Sequence, residues 1–112
     1  MNIQYKGFGI GKLKKITLNN DDNVILHFYI LDEYIDRITE GSIIEVSVSP
    51  IGLGSSLIFH PGNSKIIMED DTLIPELNSK TAKQLIKDGK CSINVTNDSI
   101  NTILGSATSL IQ

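Results

Sequence analysis

The chain has no tryptophan, a single cysteine, a single arginine and only three prolines. With Cys91 alone, no internal disulfide can form and no cysteine-based metal cage can close within one chain. With Arg37 alone and no tryptophan, bidentate recognition of phosphates or base edges is poorly supplied, so nucleic acid is not an expected partner. No apolar run approaches the length of a membrane span. The opening residues Met-Asn-Ile-Gln-Tyr-Lys lack the apolar core of a secretory signal. These absences point to a cytoplasmic protein with no membrane partner and no resident cofactor. In that setting the sequons at Asn94 and Asn97 carry no meaning.

The 112 residues suit a single domain over 1–112, and a chain of that size buries about two-thirds of its unfolded surface. Hydrophobic content of 40% with a net charge of −3 fits a globular rather than a disordered chain. The charge is unevenly spread. Residues 1–20 carry four lysines and no acid, whereas residues 21–76 carry eleven acids against Arg37 and Lys65. Isoleucine outnumbers leucine and valine together, and asparagine and lysine are frequent, a bias that fits AT-rich coding and so a phage, a mobile element or a low-GC bacterium.

The clearest local pattern is Ser42–Ser49, where Ile44, Val46 and Val48 alternate with Glu45, Ser47 and Ser49 between Gly41 and Pro50. This predicts a strand with one buried and one wet face. Val24–Ile30, apolar on both sides, is the expected central strand beside it. Residues 2–18 read as a long strand or hairpin whose apolar parity flips after Lys15, which predicts a bulge near Lys14-Lys15. Asn19–Asn23 reads as a turn into Val24–Ile30. Asp32–Thr39 is predicted to be a short helix capped by Asp32. Leu57–His60 and Lys65–Glu69 are expected to be strands about Pro61-Gly62-Asn63. A helix is predicted from Leu77-Asn78-Ser79 to Asp88, closed by Gly89. Cys91, Ile93 and Val95 then alternate as a last strand, and Asp98 would cap a C-terminal amphipathic helix. The fold class is α+β: an antiparallel sheet or small open barrel with two to three short helices.

Candidate sites are few. Gly7, Gly9 and Gly11 with Lys12 resemble a phosphate loop only superficially. A Walker loop needs glycine where Lys6 stands and Ser or Thr where Leu13 stands, and a dinucleotide fingerprint needs glycine at Lys12 and a helix after it. Three glycines on one strand face make a flat strip, which suits close packing first and an anionic, nucleotide-like ligand second. The lysine face Lys80, Lys83 and Lys87 suits a helix C-terminus and solvent, with phosphate binding as the alternative. His27 and His60 have no ligand-spaced neighbour, so no metal site is expected. Cys91 alternates with apolar residues and reads as inert packing. No nucleophile, base and orienting group stand together in the pattern, so an enzyme is not expected.

Residues 99–112 contain no charge. Ile100, Ile103, Leu104, Ala107, Leu110 and Ile111 repeat at helical spacing, and Gly105, Ser106 and Ser109 lie on the opposite, small-residue face. Such a face suits contact with a second copy. The sequence therefore reads as a non-enzymatic interaction protein, of inhibitor or immunity type, that binds a protein partner and forms a homo-oligomer. A small anionic-ligand binder and a phage structural subunit are the alternatives.

Overall fold

The computed structural model describes residues 1–48 and 54–93. Five strands, β1 (Asn2–Tyr5), β2 (Phe8–Leu18), β3 (Val24–Ile30), β4 (Ile43–Val48) and β5 (Ser55–His60), form one sheet in the order β3-β2-β1-β5-β4. A 3-10 helix, Asp32–Arg37, links β3 to β4, and one α-helix, α1 (Lys80–Lys87), follows β5. The fold is α+β, and its sheet curls into a half-barrel.

The sheet is mixed rather than antiparallel, because β1 runs parallel to β5 with Ile3 opposite Leu57. That pairing also corrects the expectation that Val24–Ile30 is central and lies beside the Ser42 strand. β5 is drawn between β1 and β4, which leaves β3 and β4 as the two opposite edges.

Two irregularities shape β2. The expected bulge is present: Leu13 pairs with Phe28 and Lys15 with His27, so Lys14 is the extra residue. A second one was not anticipated. Ile3 pairs with Gly11 but Gln4 with Gly9, which makes Ile10 an extra residue opposite β1. Bulges bend and twist a strand, and two of them in eleven residues fit the curl of this sheet. The second bulge also brings Ile10 inside, fully buried beside Ile3. The hairpin turn itself uses Lys6 (φ 52) and Gly7 (φ 83), two consecutive left-handed residues as a tight two-residue hairpin requires.

The concave side holds the main core of Ile3, Ile10, Ile38, Ile44, Leu57 and Phe59, onto which Tyr34 of the 3-10 helix packs. Adjacent Ile43 and Ile44 are both buried because β4 has different cover on its two faces. Ile44 faces this core, and Ile43 turns outward into a second cluster with Ala82 of α1 and Cys91. Val46 and Val48, expected to be buried, are 41% and 68% exposed. β4 is an edge, and the half-barrel is open along it.

Of the remaining predictions, the Asn19–Asn23 turn forms, with Asn19 Oδ1 accepting from the amides of Asp21 and Asn23. α1 is capped as expected, Ser79 Oγ accepting from Ala82 N at 3.1 Å, and Gly89 follows in the left-handed region. The predicted helix at 32–39 is the shorter 3-10 helix, and Asp32 lies within it with no side-chain cap. Lys65–Glu69 is not a strand. It runs beside residues 38–40, with Glu40 N donating to Ile66 O and Met68 N to Ile38 O, rather than returning along β5. Cys91 forms only an isolated bridge with Gly62. The rest of that predicted strand beyond Ile93, and the C-terminal helix with Gly105, Ser106 and Ser109, lie outside the described residues.

A small polar knot ties the chain together beside β4. Buried Ser42 accepts from Gly62 N at 3.1 Å and donates to Thr39 O, while Thr39 Oγ1 donates to Gly62 O at 2.9 Å. A side chain at Gly62 would meet Glu40 O at 1.9 Å, so only glycine permits this approach.

Candidate functional site

The gap between the two edge strands is an open groove of about 430 Å³. Val24, Leu26 and Phe28 of β3 form one wall, Ile44 and Val46 of β4 the other, and the 72–76 segment the third side. This segment is held against β4 by main-chain bonds, Ile44 N donating to Pro75 O at 3.0 Å and Leu77 N to Ile44 O at 2.8 Å. The outer edge of β4 is thereby partly covered, as an exposed edge requires. Three apolar residues of the groove lining are exposed: Leu73 at 75%, Val24 at 63% and Val46 at 41%. Single exposed apolar residues are ordinary on a protein surface, whereas large contiguous apolar patches are uncommon on monomers.

The charge at the ends of these walls is acidic. Asp21 and Asp22 lie in the turn leading into Val24, Asp70 and Asp71 immediately precede Thr72, and Glu76 lines the groove itself. All four aspartates are exposed.

The glycine strip expected on the β1–β2 hairpin does not exist as one surface. The bulge at Ile10 sets Gly9 opposite Gln4 and Gly11 opposite Ile3, so the two fall on opposite faces of the sheet. Gly11 is buried where the β3 backbone comes closest, and a side-chain carbon there would meet Tyr29 O at 2.1 Å. Gly7 and Gly9 are exposed with nothing nearby. Lys12 is exposed and pairs across to Tyr29. Lys80, Lys83 and Lys87 are exposed on α1, which packs at Ile43 of β4, with β5 standing between β4 and β1.

The two histidines and the cysteine are separately engaged. His60 Nε2 is 2.9 Å from Glu45 Oε1 on the outer face of the sheet, away from the groove. His27 Nε2 is 2.8 Å from Thr17 Oγ1. Cys91 donates through Sγ to the carbonyl of Pro61 at 3.5 Å, and burial pushes its thiol pKa up, so the reactive thiolate is disfavoured. Among the described residues no group of three or more His, Cys, Asp or Glu stands close enough to hold a metal ion. Among them, too, no helix is long and apolar enough to cross a membrane.

Sequence reasoning missed the groove because it placed β3 and β4 side by side. The pattern of Val46 and Val48 is that of a buried face, and only the sheet order shows that the face opens onto a gap. No family model matches the chain, and no curated protein matches it in sequence.

Proposed function

We propose that this is a non-enzymatic interaction protein whose groove between β3 and β4 takes a basic amphipathic segment of a partner protein. The observation that carries this reading is the apolar lining of the groove, in which Val24, Val46 and Leu73 are exposed beside half-buried Leu26. Apolar residues of the partner would enter the groove, and its lysines or arginines would meet Asp21, Asp22, Asp70, Asp71 and Glu76. Apolar burial would supply most of the affinity, and the acidic ends would set the sign of the partner and speed encounter. Covering a partner's functional segment in this way is the action of an inhibitor or immunity-type protein in the cytoplasm.

The test is binding of a fluorescent helical peptide with leucines on one face and lysines on the other, followed by anisotropy. The chain should bind it, and should bind the same peptide with glutamates in place of lysines far more weakly. Val46→Asp and Leu73→Asp should both abolish binding while the far-UV circular dichroism is retained, since both positions are exposed. Undiminished binding in these two variants would locate the interaction elsewhere.

A further inference from the structure

A second cleft, sharing no residue with the groove, lies between the β1–β2 turn and the 3-10 helix. It is an open concavity of about 340 Å³ lined by Tyr5, Lys6, Phe8, Tyr34 and Arg37. We infer that this cleft binds a small flat aromatic compound bearing one anionic group, of the class of a nucleoside monophosphate, with the ring held by Phe8 and Tyr34 and the anion by Arg37 and Lys6.

The first observation is composition. The cleft gathers three of the six aromatic residues in the chain together with its only arginine. Rings and a guanidinium in one concavity are what a stacked, charged heteroaromatic compound requires, because every base has a face that stacks on an aromatic side chain. The second is exposure. Phe8 is 64% exposed although its cross-strand partner Tyr5 is anchored edge-on against core Phe59, with ring centroids 6.0 Å apart. One ring of the pair is fixed and the other is left for a ligand.

The third observation is charge. Among the described residues, neither Lys6 nor Arg37 forms a salt bridge. Lys6 sits instead over the Tyr5 ring, its Nζ 5.5 Å from the centroid, and holds a left-handed backbone that an L-residue adopts only at a cost. Asparagine or glycine would relax that turn; lysine there keeps a cation at the mouth of the cleft. Asp32, Glu33 and Asp36 stand exposed on the same 3-10 helix as Arg37. None of these three acids lines the cleft. The volume is at the lower end for small-molecule sites, which suits a mononucleotide-sized compound.

The test is a titration of the full chain, isotopically labelled, with the four nucleoside 5′-monophosphates, followed by amide chemical shifts. At least one should bind at submillimolar concentration and shift residues 5–8, 34 and 37 together. The matching nucleoside and inorganic phosphate, each alone, should bind at least about tenfold more weakly, since each lacks half of the recognition. Phe8→Ala and Arg37→Ala should each weaken binding by about tenfold or more with unchanged circular dichroism, and Arg37→Lys by less than Arg37→Ala. No shift at millimolar monophosphate overturns the inference. So do equal effects from phosphate alone, which would indicate a general anion response, and undiminished binding in both alanine variants.

Discussion

Two glycines two positions apart should respond in opposite ways to the same substitution. In Gly11→Ala the new methyl group would stand 2.1 Å from Tyr29 O and 3.1 Å from Ile30 Cα. These are main-chain atoms of β3 and cannot rotate aside, so β3 must draw away from β2 where Gly11 pairs with Ile30. Overpacking of this kind costs about 1–3 kcal/mol, and a lost ladder hydrogen bond adds about 1 kcal/mol. A total of about 2–4 kcal/mol is a large share of the stability of a domain this size. Gly9, in contrast, has nothing within 4 Å of the added carbon, and its φ lies outside the left-handed region. Gly9→Ala should stabilise by about 0.4–1 kcal/mol, by restricting the unfolded chain. Urea unfolding followed by far-UV circular dichroism measures both, and at about 4 °C per kcal/mol the melting temperatures should separate by roughly 10 °C or more. Equal losses in the two variants would show that the glycines share a face, and the bulge at Ile10 would then be wrong.

Further outcomes follow from the same contacts. Ser79→Ala removes the oxygen that accepts from Ala82 N and should cost about 1 kcal/mol, whereas Lys80→Ala should change stability by less than about 0.5 kcal/mol. The Cys91 thiol, buried and with its pKa raised, should react with a disulfide reagent far more slowly in the native chain than in urea. Because the unfolded thiol ionises first, its contribution to stability is complete at neutral pH and declines as pH rises through and beyond the ordinary thiol pKa; Cys91→Ala should lose that alkaline component. If the uncharged face of 99–111 joins two copies, light scattering should show more than a monomer, and Gly105→Glu with Ser109→Lys should give a folded monomer. A monomeric intact protein would end that proposal.

Local grammar was legible in the sequence and long-range pairing was not. Ser79, Gly89 and Asn19 act through bonds to near neighbours, and each is where its residue type predicts. The parity change at Lys15 disclosed one bulge because apolar residues stand on both sides of it. The bulge at Ile10 left no such mark, since glycines flank it and carry no side chain to reveal the face. The parallel pairing of β1 with β5 joins residues more than fifty positions apart, and nothing in either segment names its partner. From that unread pairing came the misplacement of β3 and the missed groove, while Val46 read as buried because it alternates with Glu45 and Ser47. The aromatic cleft was obscured in the same way, because Arg37 and Phe8 come to line one cleft only through the fold.

The most direct test of the central reading is a methyl chemical-shift titration of the intact chain, labelled at Ile, Leu and Val, with the lysine-leucine peptide. Methyl shifts should be largest at Val24, Leu26, Ile44, Val46, Leu73 and Ile74, with those of Ile43 beneath α1 and Leu85 on it unmoved. Shifts confined to other residues, or none at saturating peptide, would contradict a binding groove between β3 and β4.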